Sequence, residues 1–168
     1  MALRAYISVK GSKQGQFKSE STAVGRKDEW IPILAFHMEV VSPLDSATGH
    51  ASGRRQYKPI AIVKEWGAAS PQGLAACATN EVLDEVLIEF MKTNPAGLEY
   101  DYQSVRLTQA TIVDVTRYTH AQDGTLLLPP GSAETMELES WSFVFRKIEV
   151  DDTDGKTSFI DNWSATTL

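Results

Sequence analysis

The residues of this 168-residue chain best suited to chemistry are one cysteine, three histidines, a short acidic run and a glycine-flanked lysine. Cys77 lies in "LAACAT", a run of small residues that reads as the face of a short helix. A thiolate nucleophile needs an electropositive, accessible setting, so this cysteine is expected to pack as a small hydrophobe. His37, His50 and His120 are far apart in sequence and show none of the short spacings of a zinc site. His37 falls in an apolar segment and reads as a sheet residue, while His50 sits in a polar loop, a poor platform for a catalytic base. "GSKQG" lacks the Lys-Ser/Thr that must follow the second glycine of a phosphate loop. "DDTDG", with Asp161 further on, has part of the acidic spacing of a calcium loop, but Val150 stands where the first ligand belongs. The same run reads better as a hairpin turn with solvated carboxylates. "NWS" at Asn162 matches a glycosylation sequon by letter only. Trp30, Trp66, Trp141 and Trp163 could line a ligand cavity, although packing in a core or subunit contact suits them better. These readings give no catalytic residue, no cofactor and no metal, and the chain is expected not to be an enzyme.

The elements that must carry these residues are mostly strands. "LRAYISV" alternates, with Leu3, Ala5, Ile7 and Val9 on one side. "WIPILAFHMEVV" is too rich in β-branched and aromatic residues for helix, and Pro32 discourages one further. "YKPIAIVKEW" alternates again, Ile60 and Ile62 against Ala61 and Val63. In "SPQGLAACATN", about residues 70–80, Ser70 fits an N-cap, Pro71 the first helical position and Asn80 the C-terminus. "EVLIEFMK", "YDYQSVRLTQ", "ATIVDVTRYTH" and "MELESWSFVFRKIEV" read as four further strands, and Asp154-Gly155 as a two-residue hairpin turn. Many strands and one helix predict a mainly β fold: an antiparallel β-barrel or two-sheet sandwich with one short flanking α-helix and a long extended loop. The length predicts a single domain over 1–168. A net charge of −6 and a pI near 5.1 argue against nucleic acid or an anionic membrane as partner, and no stretch approaches a membrane span. The start, "MALRAYISVKG", has no apolar core of a Sec signal, so cytoplasmic synthesis is expected, with any export by another route.

The long loop is the most informative feature. "SPLDSATGHASGRRQYKP", Ser42 to Pro59, separates two apolar runs and contains one large aliphatic residue, Leu44. Polar connections of this length are uncommon in compact domains and are usually functional or disordered. With its flanks, "WIPILAFHMEVVSPLDSATGHASGRRQYKPIAIVKEW" resembles the Hcp (haemolysin-coregulated protein) family of type VI secretion systems. The shared pattern is a Trp-Ile-Pro strand, Ser-Pro-x-Asp, a glycine-containing loop, Arg-Gln-x-x-Pro and an apolar strand ending near Lys-Glu. "SPQGLAACATNE", "SFVFRKIEV", "DGK" and "DNW" continue it, so the resemblance runs from about Trp30 to Trp163. Tyr57 stands where many relatives have His, and the first thirty residues match only in kind.

The resemblance implies a β-barrel with one flanking helix, assembled with itself as a homo-hexameric ring. Such rings stack into a tube that a contractile sheath drives outward behind a spike tip protein, and some members carry effector cargo in the lumen. It implies cytoplasmic assembly followed by secretion to the extracellular space or a target cell. The loop Ser42–Gln56 would then be an arm reaching a neighbouring subunit or ring and ordering as it binds. Its contact residues would be Ser42, Pro43, Asp45, Arg54, Arg55, Gln56 and Tyr57. Arg54 and Arg55 would supply forked donors across the interface, and Pro43 and Pro59 would stiffen the arm's two bases. Two other readings stay open: a small-molecule-binding barrel of the lipocalin kind, and a barrel enzyme using Cys77 or a histidine.

Overall fold

A computed structural model describes residues 4–19, 29–119 and 137–163, so Leu3, His120 and Met136, each at one end of a predicted strand, lie outside the described residues. Strand β1 (Ala5–Gly11) buries Ala5, Ile7 and Val9 on one face, as its alternation requires, and β2 (Gly15–Gln16) folds back on its end. The predicted strand "WIPILAFHMEVV" is three short pieces, β3 (Ile31–Ile33), β4 (Ala35–His37) and β5 (Val40–Val41). They differ because they serve different partners: β3 pairs with β1, β4 with a later strand, and β5 with the return of the long loop. Pro32, which has no N–H to give, sits exposed in the edge strand β3.

The loop returns as β6 (Gln56–Tyr57) and leads into β7 (Ile60–Glu65), which buries Ile60, Ile62 and Lys64. Helix α1 (Ser70–Thr79) follows, then β8 (Leu83–Thr93), β9 (Glu99–Tyr118), β10 (Leu138–Val144), β11 (Lys147–Asp152) and β12 (Thr157–Asn162). All described pairings are antiparallel, in the path β2-β1-β8-β9-β10-β7-β4, with β11 and β12 added beside β9. The hydrogen-bonded path is open. Residues 31–37 span its two ends covalently, one half on β1 and the other on β7, giving the barrel-like sandwich.

Two predicted strands are one, and one is two. "YDYQSVRLTQ" and "ATIVDVTRYTH" form the single long β9, which bends at Gln109, where φ is 49°. At that bend its partner changes from β11 to β10. "MELESWSFVFRKIEV" divides at Phe145–Arg146 into β10 and β11, turning the same corner, with the Arg146 N–H reaching the Thr108 carbonyl at 3.3 Å. The final hairpin has a four-residue turn, 153–156, in place of the expected two. The left-handed residue is Lys156 (φ 53°), while Asp152 Oδ1 accepts the Gly155 N–H at 2.6 Å.

Helix α1 is seated by its small residues. Ser70, Gly73 and Ala76 are its buried positions, and a methyl group at Gly73 would lie 2.4 Å from the Trp141 ring. Ala69 is the N-cap, one residue before the expected Ser70, and it makes no side-chain cap. The Ser70 hydroxyl instead accepts the Gly67 N–H at 2.9 Å and donates to Glu139 Oε1 at 2.9 Å. Asn80 ends the helix in the left-handed region (φ 51°), as a C-cap should. Trp141, Phe143, Phe17 and the inward isoleucines fill the interior, beside a buried ion pair that joins Lys64 to Glu139 at 2.6 Å.

Candidate functional site

The long loop is a hairpin. Val40 pairs with Tyr57 and Val41 with Gln56, and an isolated bridge joins Leu44 to Ala51. Between these rungs the Ser52 N–H donates to the Pro43 carbonyl at 2.7 Å. At the tip the Asp45 N–H reaches the His50 carbonyl (2.9 Å) and the Gly49 N–H the Asp45 carbonyl (2.8 Å). Asp45 Oδ1 also accepts the Ala47 N–H at 2.8 Å, the local turn its side chain favours. Gly49 and Gly53 take positive φ, which explains both of the loop's glycines. At the base the Lys58 N–H bonds the Glu39 carbonyl (3.0 Å), and the two side chains form an ion pair at 2.8 Å with His37 3.7 Å from Glu39.

A clasp fixes this hairpin to the end of β12. Arg55 presents two N–H groups to the two carboxylate oxygens of Asp161, and its Nη2 reaches the Asn162 carbonyl at 3.3 Å. The Tyr57 hydroxyl donates to Asp161 Oδ2 at 2.6 Å. Arg54 Nη2 donates to the Trp163 carbonyl at 2.5 Å, and both guanidinium groups lie over the Trp163 ring, at 5.5 and 6.0 Å. Tyr57 meets Trp163 and Phe145 edge-on, with ring centres 5.3 and 5.2 Å away. The Trp163 N–H is held by the Arg146 carbonyl at 2.7 Å.

The electrostatics follow from this geometry. The hydrogen bonds from Arg55, with the Tyr57 hydroxyl assisting, hold the Asp161 carboxyl below its ordinary range. The bond to Asp161 in turn raises the Arg55 guanidinium. Burial, then the hydrogen bond to Asp161, pushes the Tyr57 phenol up to about 12. Tyr57 is therefore a hydrogen-bond donor throughout the physiological range.

Of the residues expected to make contact, Ser42 and Gln56 are exposed on the hairpin, and Pro43 and Asp45 are half-buried in its turns. Arg54, Arg55 and Tyr57, expected to face a neighbour, are bonded to the C-terminal end of their own chain. Beside exposed polar residues such as Ser46, Thr48 and His50, the arm exposes three aliphatic side chains, Val40, Val41 and Leu44, the last 71% exposed. Asp161 and Trp163 were not among the expected site residues, although "DNW" marked the place. Elsewhere, Cys77 is half-buried against the core, and among the described residues no cluster of three or more His, Cys, Asp or Glu gathers as a metal site would. Trp141 is core and Trp163 belongs to the clasp. Trp66 lines a cleft of about 240 Å³ between Ile31–Leu34 and the turn before α1.

Residues 6–151 match the family described as "Type VI secretion system effector, Hcp". The chain belongs to the Hcp family. It is 35% identical to the "Major exported protein" of Pseudomonas aeruginosa over 173 residues, covering 97% of this chain and 96% of that one. A crystal structure of an Hcp protein superposes with a TM-score of 0.84 at 25% identity, covering 98% of this chain and 99% of the other. The secreted protein Hcp3 from Pseudomonas aeruginosa gives 0.74 at 27% identity, covering 98% and 100%. Hcp membership makes this a type VI secretion tube protein, a structural and exported class.

Proposed function

We propose that six copies close into a ring, that rings stack head to tail into the inner tube of a type VI secretion system, and that the arm carries one of the contacts between copies. The observation that carries this reading is the arm itself: a hairpin fixed at its base by Arg54, Arg55, Tyr57, Asp161 and Trp163, with three aliphatic side chains turned outward. A fixed arm loses little freedom on docking, so more of the contact energy appears as affinity. A ring uses two different complementary surfaces on each subunit. The edge strand β12 offers a second one, since Phe159 and Ile160 are exposed on it and its outer edge has no described ladder partner. Sheath, spike tip and lumen cargo complete the reading as the partners of the assembled tube.

The barrel's interior is filled by Trp141, Phe143 and the isoleucines, and the cleft of about 240 Å³ falls below the usual range of small-molecule pockets, so a lipocalin-like role fits less well. Native mass spectrometry and sedimentation test the assembly. Six copies of an 18.5 kDa chain give a particle of about 111 kDa (6 × 18.5). A monomer from micromolar to near-millimolar concentration would overturn the proposal.

A further inference from the structure

The arm and the cleft beside Trp66 occupy opposite ends of one wall. The arm enters β7 at its first residues, directly after Tyr57, and the cleft is lined by its last, Lys64 and Glu65, with Trp66 beyond. The antiparallel neighbour β4 agrees: Leu34, just before it, lines the cleft, and Val40, just after it, begins the arm. A six-residue strand separates the two features by about 20 Å. An arm at one end and a cleft at the other is the placement that head-to-tail association needs, because one copy cannot satisfy itself.

The two features also match in chemistry. Leu44 is the most exposed large aliphatic residue described, and its bridge to Ala51 holds it in a ladder. The cleft is walled by Ile31, Pro32, Leu34, Trp66 and Ala68. Its volume of about 240 Å³ exceeds the roughly 150 Å³ that accommodates a benzene ring in an apolar protein cavity. Beside Leu44 stands Asp45, and the cleft lining carries both Lys18 and Glu65, so an opposite charge faces Asp45 only on the Lys18 side. The aliphatic tip and acidic neighbour fit the Lys18 side of this cleft better than the β12 edge, whose own Asp161 is acidic.

We propose that Leu44 of one copy seats in the cleft beside Trp66 of a second copy, with Asp45 against Lys18, and that this is the axial contact of the stack. The inference rests on the tube reading above and names the surface that receives the arm.

A disulfide trap tests it, with Cys77→Ser in every protein so that the native thiol takes no part. Rings carrying Leu44→Cys are mixed with rings carrying Ala68→Cys and oxidised. Because the two thiols are on different chains, any covalent pair of about 37 kDa (2 × 18.5) joins two copies. Mixing Leu44→Cys with Lys156→Cys, on the exposed final turn, sets the collisional background. The pair is expected at least about tenfold above that background, lowered by adding Asp45→Lys and restored by Lys18→Glu in the other partner. Ring-sized particles with no pair above background would overturn the proposed contact and leave the ring intact. Monomers with no pair would overturn both. As a second measure, Leu44→Asp should shorten wild-type stacks in electron micrographs while leaving ring mass unchanged, and unchanged stack length would count against the proposal.

Discussion

Gly73→Ala is an addition of one methyl group to a helix, and on propensity alone it should stabilise α1 by about 1 kcal/mol. The packing argues the reverse. The new carbon would lie 2.4 Å from Trp141 Cζ2 and 2.6 Å from Cε2, where ordinary contact begins near 3.4 Å, and Trp141 is fully buried. Either the indole turns within a filled core or the helix backs away by about 1 Å, and overpacking of this kind costs about 1–3 kcal/mol. Backing away also stretches the 2.9 Å bond from Ser70 to Glu139, and a buried carboxylate that loses a donor costs about 1–3 kcal/mol more. Less the propensity gain, the net where the helix backs away is a loss of about 1–5 kcal/mol, or roughly 2–20 °C in Tm for a chain of this size. The assay is urea and thermal unfolding at fixed protein concentration, since assembly makes Tm concentration-dependent. Leu74→Ala, its exposed neighbour on α1, serves as control and should stay within about 0.5 kcal/mol. Because residues 67–69 line the cleft, the displaced helix should also weaken stacking. A Gly73→Ala protein as stable as wild type, or more so, would refute the claim that glycine is what lets α1 rest on Trp141.

Two further outcomes follow from the buried and clasped charges. Glu139→Ala removes the carboxylate from an ammonium that is 1% exposed, and should cost about 3–5 kcal/mol, read as a lowered urea midpoint with unchanged slope; the paired change Lys64→Met with Glu139→Leu should recover most of it. Asp161→Ala should release the arm without melting the barrel, so amides of residues 44–55 should exchange at least about tenfold faster while Tm moves little. Asp161 is depressed in the fold, so its contribution is fully present above the unfolded value of about 3.9 and is lost as pH falls through the lower folded value. Arm protection, corrected for intrinsic exchange, should therefore hold from neutrality to about pH 4 and fall below it. Protection in Asp161→Ala equal to wild type would mean the clasp does not govern the arm.

What the sequence revealed depended on how local each cause was. The alternation of Ala5, Ile7 and Val9, or of Ile60 and Ile62, is written in adjacent letters and survives into the fold because each side chain answers only to the face it sits on. Asn80 likewise ends its helix by a local backbone preference. The bend at Gln109 and the break at Phe145–Arg146 are one event, a long strand changing partners at a corner, and neither segment alone carries the reason. Lys64 carries a charge, yet it falls on the buried side of β7 with Ile60 and Ile62, where Glu139, 75 residues away, receives it. The arm shows the same limit most sharply. Its glycines, prolines and arginines marked a long polar excursion, and the resemblance implied an arm that orders as it binds. Which way the arginines point was set by Asp161 and Trp163, more than a hundred residues downstream. With those residues holding the guanidinium groups to their own chain, the large exposed side chains left without such a tether are Val40, Val41 and Leu44, and the stacking proposed above assigns Leu44 an apolar hollow on a second copy.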